Sequence, residues 1–193
     1  EPANLGTVVT TRDELRDMLR RALPAGISAA IHAIGDAANR IVLDTFEELR
    51  PLSAGEPRLR NRIEHAQLLA LEDIPRLAGL GLIASVQPLH AVADYPMVER
   101  YWRGERSLGA FPFKSLLNAG APLVFGTDCP VEQCDPLGTL YAAVTRRRPD
   151  DAPGAAGWNL HERLTLEEAL IAQCRTPAFA AGVDISKWSP EYV

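Results

Sequence analysis

The feature that most constrains the fold is a repeated unit, in which a short apolar segment ending near a metal-binding type of residue is followed by an amphipathic helix. His32 and His65 end two of these apolar segments, and Asp128 follows a third directly. Short apolar segments are typical of strands buried on both faces, and their alternation with helices predicts a parallel sheet with crossover connections. The sequence therefore predicts an α/β fold, with flanking helices around a parallel sheet.

Apolar periodicity and helix-capping residues define the predicted elements. Thr11 and Glu14 have the spacing of a capping box, which predicts a helix that continues to Pro24. The predicted strands are 27–32, 62–65, 82–87 and 122–126, and further helices are predicted at 36–49, 71–78, 97–102, 113–119, 137–145 and 166–174. The connection between the third strand and residue 97 is expected to be a loop, as is 148–158.

His32, His65 and Asp128 occupy equivalent positions in their strand–helix units. In a βα barrel the carboxyl ends of all strands open onto one rim, where catalytic groups lie. Imidazole nitrogens and a carboxylate oxygen suit zinc and similar divalent ions. Each residue alone has a simpler explanation, because a strand-end histidine is often hydrogen bonded or exposed and an aspartate often ends a turn or caps a helix. Their shared position favours a metal site.

Four motifs follow one another along the chain: IHAIGD at 31–36, RIEHAQ at 62–67, SVQPLH at 85–90 with Asp94 beyond it, and GTDCPVE at 126–132. In their order and spacing they resemble the amidohydrolase superfamily, specifically amidohydrolase family 3 or its YtcJ-like branch. The resemblance covers nearly the whole chain. It implies a partial (β/α)8 TIM barrel, in which the four strands are strands five to eight.

The same resemblance implies roles for individual residues. His32 and His65 would be the metal-binding histidines of strands five and six, and Asp128 the strand-eight aspartate that touches metal and handles a proton. The implied activity is hydrolysis of an amide or other non-peptide C–N bond in a small molecule through a metal-activated water. A divalent ion, zinc first, is the expected cofactor, with one or two ions in the complete protein. His90 and Asp94 are expected to contact substrate from the loop above the rim.

Residues near these motifs are expected to have structural roles. Asp36 either caps the following helix or supports His32 by accepting a hydrogen bond from its ring N–H. Glu64 precedes His65 and is expected to point to the opposite face of the strand, away from the metal. His161 is expected to be exposed, and the aromatic residues at 102, 111 and 113 to pack their loop rather than line a pocket.

Charge and composition exclude several classes of partner. The formal net charge is −5, and the basic residues are scattered apart from the arginine run 146–148, which is expected to be a solvated helix end. A nucleic-acid partner is therefore not expected. There is neither a membrane-length apolar stretch nor a signal peptide, so no membrane partner and a cytoplasmic location are expected. Cys129 and Cys134 are expected to be free thiols.

Parts of the family pattern are missing from the sequence. It contains no His-x-His pair, no bridging lysine or acidic ligand, and no final Gly-Lys-x-Ala-Asp stretch. We therefore expect residues 1–193 to be the carboxy-terminal half of the barrel, with the amino-terminal half and the terminal β-sandwich segment absent. A half barrel has open sheet edges, so we expect a homo-oligomer or the missing half to cover them. The isolated chain is expected to bind metal weakly and to turn over little.

Two other functions stay open on the sequence alone. A metal-dependent hydrolase of an ester, lactone or cyclic amide would act on the same kind of polarised carbonyl. The chain could instead be part of a non-catalytic binding or regulatory module derived from the barrel, in which the histidines are relics. Substrate profiling separates the first alternative, and the sequence before Glu1 separates the second.

Overall fold

The computed structural model describes residues 6–53, 59–102, 104–150 and 152–183. Within these residues four parallel strands form one sheet, and each strand pairs with the next along the chain. This order is the one that successive strand–helix units produce, and it confirms the predicted parallel sheet. The strands are β1 (Ala30–Ala33), β2 (Arg62–His65), β3 (Ile83–Val86) and β4 (Leu123–Phe125).

Nine α-helices accompany the sheet in the described part of the chain. The capping box of the first is confirmed, because Thr11 Oγ1 accepts a hydrogen bond from the Glu14 backbone and the Glu14 side chain accepts one from Thr11. The helices are α1 (Arg12–Ala22), α2 (Asp36–Glu48), α3 (Arg50–Ser53), α4 (Ile74–Gly79), α5 (Pro88–Tyr101), α6 (Phe113–Asn118), α7 (Pro136–Thr145), α8 (Leu166–Leu170) and α9 (Thr176–Ala180). None of the described helices is long and apolar enough to cross a membrane.

The two strands β1 and β3 differ sharply in burial. All four residues of β3 are buried, as expected for a strand with neighbours on both sides. In β1, however, Ala30 and His32 are exposed and only Ala33 is buried, so the expectation of burial on both faces is wrong there. The reason is position, since β1 pairs only with β2 and lies at an edge of the described sheet.

Helix α5 includes most of the helix predicted at 97–102 and extends back through the connection that is expected to be a loop. It begins at Pro88, directly after β3, and carries both His90 and Asp94. From the sequence alone, Pro88 is interpreted only as the end of the strand. Proline also suits the first turn of a helix, because a backbone N–H there would have no acceptor within the helix. The expected loop above the rim is therefore wrong, and the two residues are held on a rigid element.

The segment Gly104–Gly109 and the residue after it lie against the chain that follows β2. Ala110 forms an antiparallel bridge with Leu68, and the Leu69 N–H donates to the Gly109 carbonyl at 3.0 Å. The backbones are so close that a Cβ on Gly109 would lie 1.8 Å from the Leu69 carbonyl oxygen. Only glycine fits this contact.

Arg146 is fully buried, so the expected solvated helix end is wrong for this residue. Its guanidinium lies between the rings of Phe113 and Trp158, 5.0 and 5.1 Å from their centroids. It donates to the backbone carbonyls of Trp158 at 3.2 Å and Phe111 at 3.4 Å. Phe111 and Phe113 are themselves in the core, as predicted, and it is this aromatic packing that encloses the arginine.

Candidate metal centre

The two predicted histidine ligands meet because β2 ends irregularly. The register pairs His32 with Glu64 and Ala33 with His65, which would place the two histidines on opposite faces of a regular sheet. His65 instead has φ 78°, outside the β region. The alternation of side chains stops there, and His65 Nε2 lies 2.9 Å from His32 Nδ1.

The register also corrects the expectation for Glu64. Paired residues of adjacent strands share a face of the sheet. Glu64 is therefore on the same face as His32, where its carboxylate pairs with Arg62. The expectation that Glu64 lies on the face away from the metal residues is wrong for this reason.

Three side chains converge beyond the strand ends. His65, His90 and Asp128 each present one nitrogen or oxygen atom, and these atoms lie within 4.8 Å of one another. His90 Nε2 is 3.5 Å from Asp128 Oδ2, and the rings of His65 and His90 stack with centroids 6.1 Å apart. Both histidines are buried and Asp128 is exposed, so the cluster has one open side.

The donor set fits a divalent transition-metal ion. Two imidazole nitrogens and a carboxylate oxygen are the ligands that zinc takes in catalytic sites, where a further position is left for water or substrate. His32 lies outside the three-residue cluster but contacts it through His65. The structure thus brings His65 and Asp128 together with His90, which is expected only to contact substrate, and places His32 against His65 outside this cluster.

Three residues near this centre were missed from the sequence. Gln87 Oε1 lies 3.0 Å from His65 Nδ1, and Glu132 Oε1 lies 3.5 Å from His90 Nδ1. Gln67 is buried and its amide donates to Asp94 Oδ2 at 3.2 Å. All three belong to the quoted motifs, and for Gln87 the available signal was a polar residue directly after an apolar strand.

The remaining expectations concern residues around the centre. Asp36 is the first residue of α2 rather than its cap, and its carboxylate pairs with Arg106 through two hydrogen bonds of 2.8 and 2.9 Å. Burial would raise the pKa of Asp36, but the hydrogen bonds from Arg106 and the Ala37 N–H lower it. His161 is exposed as predicted. The cysteines at 129 and 134 are exposed free thiols, also as predicted.

Comparison with known proteins shows the family of the chain that forms these contacts. A family model described as the amidohydrolase family matches residues 2–189. The chain belongs to the amidohydrolase family. The prediction from the four motifs is thereby confirmed, and the parallel sheet with its flanking helices is part of an amidohydrolase barrel.

Three curated relatives match this amidohydrolase chain. Protein LONG AFTER FAR-RED 3 of Arabidopsis thaliana is 39% identical over 186 residues, which are 95% of this chain and 31% of that protein. The putative amidohydrolase YtcJ of Bacillus subtilis is 32% identical over 88% of this chain and 31% of its own length. The N-substituted formamide deformylase of Arthrobacter pascens is 33% identical over 93% of this chain and 32% of its own length. The chain spans about a third of each relative.

A solved structure agrees with the sequence relatives. An uncharacterized metal-dependent hydrolase from Pyrococcus furiosus superposes on this amidohydrolase with a TM-score of 0.76 and 34% sequence identity. The match covers 93% of this chain and 34% of that one. At this level of identity the structural match supports the same family as the sequence matches do.

Proposed function

We propose that the protein is a metal-dependent hydrolase that cleaves an amide or another non-peptide C–N bond of a small molecule. The observation that carries the proposal is the convergence of His65, His90 and Asp128 within 4.8 Å. Two relatives support the reaction class, one named an N-substituted formamide deformylase and the other a metal-dependent hydrolase. Formamides and related N-substituted amides are therefore the first substrates to test.

The proposed ligands are His32, His65 and Asp128; His65 and Asp128 lie in the cluster with His90, and His32 contacts it through His65. Zinc is the first candidate, since it accepts this mixture of nitrogen and oxygen donors. When bound, a divalent ion would polarise the substrate carbonyl and supply a hydroxide-like water near neutral pH. His65, which is buried, and His32, which is exposed, would both hold the ion through a ring nitrogen.

Asp128 is the proposed proton carrier. Its side chain is 39% exposed, so substrate and solvent can reach it. A carboxylate in this position can take a proton as a nucleophile attacks and return it to the leaving nitrogen. His90 Nε2, 3.5 Å from Oδ2, limits the orientations that the carboxylate can adopt.

His90 and Asp94 are the proposed substrate contacts. They are four residues apart on α5, so they lie on the same side of the helix, one turn apart. Gln67 hydrogen bonds to one oxygen of Asp94 and leaves the other for a substrate donor such as an amide N–H. Because α5 begins at the end of β3, this side of the helix is anchored to the sheet beside the proposed ligands.

We further propose that the four strands are strands five to eight of the barrel, as the motifs imply. β1 and β4 are the edges of the described sheet. Unpaired strand edges favour pairing with another chain segment. The proposed cover is the remainder of a barrel or a second copy of the chain, and light scattering of the natural full-length protein distinguishes these two arrangements.

The test is a substrate panel with a metal control. The natural full-length protein is assayed on N-formyl and N-acyl amines and on esters and lactones of matched size, before and after chelation. We expect C–N cleavage that chelation abolishes and a divalent ion restores, and a loss of about 10²–10⁴-fold in kcat for Asp128→Asn. His161→Ala, an exposed histidine, is the control. Hydrolysis of esters alone, or activity indifferent to chelation, contradicts the proposal.

A further inference from the structure

Gln87 is a buried polar residue directly after the buried strand β3. It follows the last residue of β3, whose four residues are all buried, and it is itself only 6% exposed. A buried amide without hydrogen-bond partners is costly, so its contacts should be accounted for. Two are observed, one on each end of the amide.

These contacts fix the orientation of the amide. Gln87 Nε2 lies 3.5 Å from the Ser85 carbonyl oxygen, which can only accept a hydrogen bond, so the NH₂ end faces Ser85. The Oε1 end therefore faces His65 Nδ1 at 3.0 Å. An amide oxygen also only accepts, which requires His65 Nδ1 to carry the hydrogen.

The hydrogen on Nδ1 determines what the other ring nitrogen can do. In a neutral imidazole only one nitrogen is protonated, so Nε2 of His65 keeps its lone pair. That nitrogen is the one 2.9 Å from His32 Nδ1, on the side where the proposed metal ligands meet. A ring with the opposite tautomer would present an N–H there and could not bind a metal ion.

The backbone gives an independent reason for a restraint at this point. His65 and Ala66 have φ of 78° and 44°, a region that non-glycine residues rarely adopt. Such conformations persist where surrounding contacts hold them and often accompany functional sites. The Ala66 N–H donates to the Ala33 carbonyl at 3.1 Å, which holds the main chain, and Gln87 holds the ring.

We propose that Gln87 is a positioning residue that fixes His65 in the Nδ1–H tautomer and directs its Nε2 lone pair to the metal-binding side. The inference rests on the proposed function only in taking Nε2 as a ligand atom. Hydrogen bonds from supporting residues to metal-binding histidines orient the ring and raise the basicity of the ligand. A residue that only filled space would affect stability without selecting a tautomer.

Three variants of the natural full-length protein test this role. Gln87→Leu removes the acceptor at similar size, and Gln87→Glu keeps an oxygen that accepts from Nδ1. Gln173→Leu is the matched control, because Gln173 is partly buried and its Oε1 has no hydrogen-bond partner among the described residues. The measurements are the ¹⁵N shifts of the His65 ring in the metal-free protein, at mildly alkaline pH, and the zinc affinity by competition with a chromophoric chelator.

In the wild type and in Gln87→Glu we expect a protonated Nδ1 and an unprotonated Nε2. Gln87→Leu should show a mixture of tautomers and bind zinc about 10–100-fold more weakly, as when other supporting partners are lost. Gln173→Leu should match the wild type in both measurements. A wild-type ring protonated on Nε2 overturns the proposal, even if Gln87→Leu does not fold, and so does wild-type zinc affinity in a folded Gln87→Leu.

The readouts separate this inference from the proposed function. A wild type that binds zinc but hydrolyses no member of the panel contradicts the proposed function. The ¹⁵N shifts of His65 and the zinc affinities of the variants still decide the role of Gln87 in that case. A wild type that binds no zinc also contradicts the proposed function, and the His65 tautomer then decides the role of Gln87 by itself.

Discussion

His65 Nε2 lies 2.9 Å from His32 Nδ1, although 33 residues separate the two histidines in the sequence. Their rings meet edge to face, with centroids 4.7 Å apart. Strand register alone would not produce this contact, because it pairs His32 with Glu64. The left-handed backbone of His65 produces it, so the geometry of the centre depends on the last residue of one strand.

The first prediction concerns how much each histidine contributes to the affinity for zinc. His65→Ala should lower zinc affinity by more than the about 10–100-fold typical of removing a supporting residue, because a ligand atom itself is lost. His90→Ala should lower it less if His32, His65 and Asp128 are the main ligands. His161→Ala, which removes an exposed histidine, should have no effect. Competition titration measures all three, and equal affinities for His65→Ala and His161→Ala would contradict the assignment.

Local sequence patterns could predict the sheet and part of the centre. The strand Arg62–His65 was bounded correctly because an apolar position alternates with polar ones between clear breaks. The position of His90 could not be predicted, since Pro88 can either end a strand or begin a helix and nothing nearby decides between these uses. The contact of His65 with His32 could not be predicted either, because it depends on the left-handed backbone of His65.

The burial of Arg146 could not be predicted from the sequence either, and the reason is physical. Arg146 opens a run of three arginines, and a run of charge usually lies in solvent. The rings that enclose it come from Phe113 and Trp158, on other segments of the chain. Packing between segments far apart in sequence overrides the local pattern, and it cannot be seen from residues 146–148 alone.

Gly109 provides the second prediction, on stability. Gly109→Ala places a Cβ 1.8 Å from the Leu69 carbonyl oxygen, so one backbone must move. We expect a loss of about 1–3 kcal/mol in the free energy of unfolding, typical of forced overpacking. Gly79→Ala is the control, because a Cβ there meets nothing within 4 Å, and it should be neutral or slightly stabilising. Urea denaturation measures both, and equal midpoints would show that the contact adapts without cost.

Arg146 provides the third prediction. Burial lowers the pKa of Arg146 from its ordinary value to about 10, against the opposing effect of Glu162. The folded state therefore disfavours the charged form, and this cost is fully present below about pH 10 and is relieved as the pH rises through this folded pKa towards the ordinary arginine value. Arg146→Met keeps the apolar stem and removes the charge, whereas Arg146→Lys keeps a charge and loses the planar group. We expect the methionine variant to be the more stable of the two.

The comparison of these two variants is the measurement, by thermal and urea unfolding at neutral pH. The methionine variant loses the donors to the Phe111 and Trp158 carbonyls, whereas a lysine ammonium still has N–H groups that can donate to a carbonyl. A methionine variant that is the more stable despite losing these donors would therefore show that burying the charge costs more than the hydrogen bonds contribute. If the lysine variant were as stable as the wild type, the planar group between Phe113 and Trp158 would contribute nothing.

The pair Asp36–Arg106 provides the last prediction. Its two hydrogen bonds join the start of α2 to the segment Gly104–Gly109, which packs beside the chain after β2. Both side chains are partly exposed, 31% for Asp36 and 52% for Arg106, so the pair should contribute no more than about 1 kcal/mol to global stability. Arg106→Ala should therefore leave the unfolding midpoint nearly unchanged and speed amide hydrogen exchange in 104–111.

The pH dependence of this contact follows from the lowered pKa of Asp36. Burial is the largest single influence and raises the pKa, but the hydrogen bonds from Arg106 and the Ala37 N–H and the charge of Arg106 together outweigh it, so the folded pKa lies below the unfolded one. The stabilisation is present above about pH 3.9 and is lost as the pH falls through the folded pKa. Asp36→Asn should therefore reproduce the exchange behaviour of Arg106→Ala at neutral pH. Arg148→Ala, which breaks the exposed pair with Asp150, is the control. Unchanged exchange in 104–111 would mean that backbone contacts hold this segment without the ion pair, because Gly109, Ala110 and Phe111 also contact the chain after β2.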